Sequence, residues 1–336
     1  MEHLLIIDPS LQGREYGTLS AFQSSIEHIT GSKRINLPEY NFFEKRFLQS
    51  SRWRFLRRLS RRKNIAKSKI QADVLWYILM GPENYRLDMF NGYEDIPIKI
   101  IYFFDTLPHQ FGLINKLKLD RTFNIKITSF PDALDKLEIL TKSKWEYVPQ
   151  ASINPRILPD LNSKTIAFCS YGRSNRRLNE IIKNFCSNNN LYFDCTNEGQ
   201  GIMKTSNLDL YQSYLWHTAQ SIFNVSFSVE STHPSRAGIL SPITCRWFEA
   251  ILSRNIVVGQ SPLNREFEEL FPNGFVRGLN LDCTDEEVYR QLEDLWKIRE
   301  ELFNNLYGQL DESYFEKYVW DSRVLEICKI IDSCAE

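Results

Sequence analysis

Two apolar runs constrain this chain more than anything else in it. Residues 73–81 read DVLWYILMG and residues 98–105 read IKIIYFFD, each nearly free of polar side chains and each closed by turn signals. A strand with one wet face alternates apolar and polar residues, whereas a run apolar on both faces belongs inside a parallel sheet covered by helices on both sides. The same pattern recurs along the chain. Residues 3–8 form an apolar run ending in Asp-Pro, 33–37 read as a further strand, and strands at 123–130 and 145–151 flank a helix at 132–141. In the second half TIAFCSYGR runs from a buried strand through a Ser-Tyr-Gly-Arg turn into a helix at 176–188. Strands at 191–195 and 221–228 then enclose a helix at 207–220. Beyond residue 262 come a helix at 264–271, a strand at 274–277, a helix at 285–297 and a mostly helical end.

This alternation predicts an α/β protein of two doubly wound, Rossmann-like domains facing a cleft. At 336 residues the chain is long for one core and comfortable for two of about 150 residues each. The proline-marked INPRILPDLNS is the expected hinge. The boundaries follow: residues 1–152 for the first domain, 153–163 for the hinge, 164–311 for the second domain, and 312–336 for a C-terminal helix crossing back to the first.

Composition excludes several classes. With 43% apolar and 25% charged residues the chain is not a disordered one. Its longest apolar run, 74–80, is far short of the roughly 20 residues of a spanning helix. MEHLLIIDPS enters a strand at once with no basic leader, so no secretory signal is expected. Seven cysteines without a CxxC pair read as reduced thiols of a cytoplasmic protein. Charge is divided unevenly: residues 1–160 carry 24 basic against 18 acidic side chains, and 161–336 carry 17 against 24. The first half is therefore expected to face something anionic.

Residues 42–69 concentrate that charge, with eleven Lys or Arg and one acid, Glu44, among aromatic and leucine residues at near-helical spacing. Three readings stay open: a solvated helix face, a surface that docks on the anionic inner face of a membrane or on a lipid-linked diphosphate, and a nucleic-acid patch. No RNA-binding aromatic signature or zinc knuckle accompanies it, so no nucleic-acid partner is expected.

The chemistry is expected at three places. The first is 105–109, where Asp105 and His109 follow a strand's C-terminal end; either can serve as a base for an acceptor hydroxyl, or Asp105 caps the next helix and His109 lies on the surface. The second is the turn after the first strand of the later half, where Gly172 lets the backbone approach a diphosphate and Arg173, Arg176 and Arg177 offset its charge. It is not a P-loop, because the terminal Lys-Ser/Thr is missing. The third is SRAGILSPITCRWFEAILSRNIVVGQSP, residues 235–262. Ser241 as N-cap and Pro242 at the first helical position predict a helix start there. Ile243, Trp247, Ala250 and Ile251 share one face, Arg246 and Glu249 share a polar edge, and 256–258 is a buried strand. A helix N-terminus opening on such a crevice holds phosphate through free N–H groups, which makes Ser241, Thr244 and Arg246 candidates. Before it, His233, Ser235 and Arg236 either contact a sugar or lie on a loose loop. Gly13 and Gly17 in the first loop likewise permit close ligand approach or mark a plain turn.

Arg246, Trp247, Phe248, Glu249 and Ala250, followed by Ile256 to Gly259, resemble the donor-site segment of group 1 glycosyltransferases of the GT-B fold. Many retaining members carry a second glutamate eight residues before the first, where this chain has Ser241. Val148, Pro149, Ala151, Asn154 and Pro155 resemble the segment before the linker of a side branch, the spore-maturation-protein-like glycosyltransferases. The resemblance implies that Glu249 binds the ribose of a nucleotide diphosphate sugar and that Arg173, beside Gly172, grips its phosphates. It implies a glycan or lipid-linked acceptor in surface polysaccharide synthesis and, with no Asp-x-Asp motif, no metal cofactor. The alternatives are a non-catalytic GT-B-like nucleotide-sugar binding module and a nucleotide-sugar epimerase.

Overall fold

A computed structural model describes residues 1–11, 17–37, 71–86, 93, 95–155, 160–172, 175–195 and 207–335. The basic segment 42–69, Gly13 and Arg173 lie outside the described residues.

The first half contributes β1 (His3–Ile7), α1 (Gly17–Thr30), β2 (Lys33–Asn36), β3 (Val74–Leu79), β4 (Ile98–Phe103), α2 (Phe111–Leu117), β5 (Ile125–Thr128), α3 (Leu134–Thr141) and β6 (Glu146–Tyr147). Among the described residues these strands make one parallel sheet of order β2-β1-β3-β4-β5-β6. All side chains of β3 are buried, which is why its sequence VLWYIL shows no alternation, and β5, though it alternates as IKIT, is buried throughout as well. The strand expected at 145–151 is confined to Glu146–Tyr147. Gln150 instead turns inward, its amide donating to the Phe104 carbonyl and the Ser129 hydroxyl.

The second half contributes β7 (Ile166–Ser170), α4 (Arg176–Asn188), β8 (Phe193–Cys195), α5 (Asn207–Ala219), β9 (Ser221–Phe227), α6 (Val229–Thr232), α7 (Pro234–Ala237), α8 (Cys245–Leu252), β10 (Ile256–Gln260), α9 (Arg265–Leu270), β11 (Val276–Arg277), α10 (Asp285–Lys297), α11 (Arg299–Tyr307), α12 (Glu312–Glu316) and α13 (Trp320–Ala335). Its parallel sheet has the order β11-β10-β9-β7-β8. Both sheets thus start at an inner strand, add one neighbour on one side and then build outward on the other. The architecture is α/β with two doubly wound sheets. In such sheets the point where the order reverses, between β1 and β3 and between β7 and β9, leaves a crevice beyond the strands' C-terminal ends.

Two hydrophobic clusters form, one around each sheet. The last helix joins the first of them: Trp320 stacks on Phe22 of α1 at 4.3 Å, and Val324, Ile327 and Ile331 follow at helical spacing. Helix α5 also reaches across, placing Tyr211 and Leu215 in that cluster. Gly17 is glycine for this packing, because a Cβ there would stand 2.6 Å from the Cβ of Tyr211. The two chain passages between the domains meet at Ser152, whose N–H donates to the Tyr318 carbonyl (3.0 Å) and whose carbonyl accepts from Trp320 N–H (2.9 Å). At the base of the second sheet the buried Lys164 donates to the carbonyls of Ala219, Ser221 and Ser253 at 2.6, 2.9 and 2.9 Å. Among the described residues no helix is long and apolar enough to cross a membrane.

Candidate active site between the two sheets

The loop leaving β7 carries Gly172 at φ +69, a backbone conformation that side chains resist. A Cβ there would overlap Arg246 Nη2 and stand 3.2 Å from Arg246 Cζ. Glycine is therefore required twice, by the turn and by a guanidinium laid against it at the switch point of the sheet. Ser170 and Ser228, ending β7 and following β9, are buried beside the same switch point, and their hydroxyls have no hydrogen-bond partner among the described residues. Buried hydroxyls are normally paired, so this edge of the sheet has hydrogen-bonding capacity to offer a polar group.

Helix α8 supplies Arg246, and it begins at Cys245, not after Ser241 as the Ser-Pro signal predicted. Tertiary contacts override that signal. The Ser241 hydroxyl donates to Glu230, its N–H to Asp132 Oδ2 (3.5 Å), and its carbonyl accepts from Asn264 Nδ2 (3.3 Å), all of which hold it in a loop. Thr244 occupies the N-cap position in extended conformation, and the first helical N–H, of Cys245, donates to Gln150 Oε1 of the first domain (2.7 Å).

Glu249 lies one turn further along α8, 4% exposed. Its two oxygens each accept a hydrogen bond of 2.7 Å, one from Tyr211 and one from Tyr214. Burial, and then the carboxylate itself, push both phenols well above their ordinary pKa, which keeps them as donors. Tyr214 packs its ring edge-on against Tyr171 at 5.1 Å. Tyr171, next to Gly172, donates to Asp194 Oδ2 (2.7 Å), an oxygen that His217 Nδ1 also approaches at 2.8 Å. Sequence reasoning missed the roles of Tyr211, Tyr214, Tyr171 and Asp194. The available signal was two tyrosines three apart on one helix face, but nothing local ties them to a glutamate 35 residues on.

From the first domain Asp105 follows β4 and its Oδ2 accepts from Arg236 Nη2 of α7 at 3.0 Å. His109 lies exposed in the short turn Pro108–Gln110. Beneath that turn Gln110 accepts from Leu107 N–H (2.8 Å) and donates to Glu83 (2.9 Å). Gly238 packs over Pro108, and Asp132 accepts from Asn264 (3.2 Å). The C-terminal edges of the two sheets therefore face one another, with Asp105 and Arg236 meeting across the cleft. Of the expected diphosphate cations, Arg177 is spent elsewhere: it donates to Asp285 (2.7 Å) and to the carbonyls of Leu281 (2.6 Å) and Cys283, pinning the approach to α10. The structure thus lays Arg246 against Gly172, buries Glu249 one turn along the same helix, pairs Asp105 with Arg236, and leaves His109 exposed in the turn that follows β4.

No protein-family model and no curated protein sequence matches the chain. Solved structures do. Anabaena HepE, crystallised in complex with UDP and glucose, is similar over 99% of this chain and 100% of its own, at TM-score 0.56 and 8% identity. MurG of Acinetobacter baumannii is similar over 99% and 100%, at TM-score 0.49 and 11% identity. A chain of the GtfA/B complex is similar over 79% of this chain at TM-score 0.45 and 10% identity; this chain covers 58% of it, a little over half its length. These neighbours are GT-B glycosyltransferases. The likeness to HepE, spanning both chains, shows that the two facing sheets are arranged as a GT-B fold.

Proposed function

We propose that this chain is a glycosyltransferase that moves a sugar from a nucleotide diphosphate donor to an acceptor hydroxyl. The observation that carries the reading is the apposition of Arg246 and Gly172 at the β7/β9 switch point, a guanidinium laid against a glycine turn where sheets of this topology bind ligands. In the proposed mechanism the diphosphate lies over Gly172 against Arg246, with Arg173 joining on the strength of the sequence resemblance. Glu249 accepts from the ribose hydroxyls through the lone pairs its tyrosines leave open. The acceptor oxygen attacks the anomeric carbon, the carbon–oxygen bond to the diphosphate breaks, and Arg246 stabilises the charge gathering on the leaving group. The acceptor's proton passes to Asp105 or His109 if the sugar inverts, or to the departing phosphate if it is retained.

The finer points of the proposal are a donor such as a uridine diphosphate sugar, a glycan or lipid-linked acceptor, a metal-free reaction, and membership of the spore-maturation-like branch. The test is release of nucleoside diphosphate from a panel of sugar nucleotides by the wild type, Glu249→Ala and Asp105→Ala. Loss of release in Glu249→Ala and loss of transfer in Asp105→Ala support the reading. No release by a wild type that still binds the nucleotide would leave a binding module and defeat the enzyme, and release unchanged in both variants would remove Glu249 and Asp105 from their proposed roles.

A further inference from the structure

We propose that Tyr211 and Tyr214 are positioning residues for Glu249 and that Ser152 and Tyr211 tie this carboxylate to the interdomain hinge. The inference rests on the reading of Glu249 as the ribose ligand for its effect on donors, but not for the tie itself. Four side chains form one buried line. Ser152 Oγ stands 3.1 Å from the Tyr211 hydroxyl, Tyr211 donates to one oxygen of Glu249, and Tyr214 donates to the other. A phenol has a single proton, and that of Tyr211 goes to the carboxylate, so in the first link Ser152 is the donor, sharing its one proton between Tyr211 and the Ile153 carbonyl at 3.4 Å. Every hydroxyl then points toward the one charge, an arrangement in which each bond strengthens the next.

The near end of the line is the hinge. Ser152 is where the passage into the second domain and the passage out of it pair as a parallel bridge with Val319. It is also fully buried. The far end is the donor loop, because Tyr214 packs on Tyr171 beside Gly172. The tyrosines hold the carboxylate plane in place by one lone pair on each oxygen and leave the others for a vicinal diol. A ribose bound there shares the charge that Tyr211 holds, and so loosens the pull on Ser152. Donor occupancy is thereby felt at the two chain passages that link the sheets, and by reciprocity those passages act on ribose binding.

The experiment uses the full chain and the conservative variants Tyr211→Phe, Tyr214→Phe and Ser152→Ala. One readout is calorimetric affinity for a nucleoside diphosphate against its 2′,3′-dideoxy analogue. Both phenylalanine variants should lose at least about tenfold of the wild type's preference for the ribose form, since each removes a bond to a charged acceptor. A merely structural role would lower the melting temperature and leave that preference intact, and this result would overturn the positioning. The second readout needs no ligand: hydrogen exchange at the Ser152 and Trp320 amides. Exchange should quicken about tenfold in Tyr211→Phe and Ser152→Ala, but not in Tyr214→Phe, which lies on the carboxylate's other oxygen. Equal exchange in all three variants would overturn the tie. If the wild type binds no nucleoside diphosphate, the proposed function fails, and exchange still decides the tie alone.

Discussion

Gly172→Ala adds one methyl group to the loop after β7 and separates the donor crevice from the rest of the fold. At φ +69 an alanine pays the left-handed backbone cost, about 1–2 kcal/mol. The new carbon would also occupy the place of Arg246 Nη2, and restoring ordinary contact distance moves the guanidinium by about 1 Å. A long side chain accommodates such a shift at little cost to stability, but a charge-assisted contact to phosphate does not survive it intact. Losing one is worth about 1.5–3 kcal/mol, or roughly 10- to 150-fold in affinity. Urea unfolding should therefore show a loss of about 1–2 kcal/mol, while calorimetry shows the much larger proportional loss for a nucleoside diphosphate. Arg246→Ala should weaken binding similarly, and the double variant little more than either, because both changes remove the same contact. Wild-type affinity in Gly172→Ala, or losses that simply add, would refute the reasoning.

Three further outcomes are expected. Burial draws the Lys164 ammonium down to about 7 from 10.5. Between those values the unfolded chain holds a proton the folded chain has released, so stability rises with pH by on the order of 1 kcal/mol per unit. Lys164→Met should abolish that slope in urea unfolding at pH 7.5 and 9 and, by removing the two hydrogen bonds a neutral amine still donates to the carbonyls around it, cost about 1–3 kcal/mol; a retained slope would contradict this. Arg236→Ala removes a half-exposed partner of Asp105, so the melting temperature should move by no more than about 4 °C. Transfer should nevertheless fall at least about tenfold, because the lost cation stands between the two walls of the cleft. Finally, transfer should persist in a chelator and gain nothing from added manganese or magnesium, as measured by product formation in each buffer.

The sheets were legible because nothing competes with them. Val74 to Leu79 and, past Lys99, Ile100 to Phe103 are apolar on both faces, and a parallel strand between helix layers is the state that buries both. The start of α8 was not legible. Ser241 and Pro242 make a sound local capping signal, but Glu230, Asp132 and Asn264 bind Ser241 in the loop, and Gln150, 95 residues before Cys245, takes the first helical N–H. Arg246 and Glu249 were proposed for their place on that helix, and the structure does put both on α8. Their surroundings were not legible, since the tyrosines on Glu249 come from helix α5 and the glycine under Arg246 from the loop after β7. Asp105 was found at a strand's C-terminal end, but its partner Arg236 is 131 residues away and no local pattern announces the pair. Short-range signals locate the elements; which side chains meet in the cleft is decided by topology.

If a nucleoside diphosphate binds where β7, β9 and α8 meet, melting the intact protein with each common nucleoside diphosphate in turn will reveal it. At a hundred times its dissociation constant the correct nucleotide should add about 2.7 kcal/mol, a rise of roughly 4 °C for a chain of this length, and Arg246→Ala should erase the rise. A flat response to every nucleotide, or an equal rise in Arg246→Ala, would contradict the account.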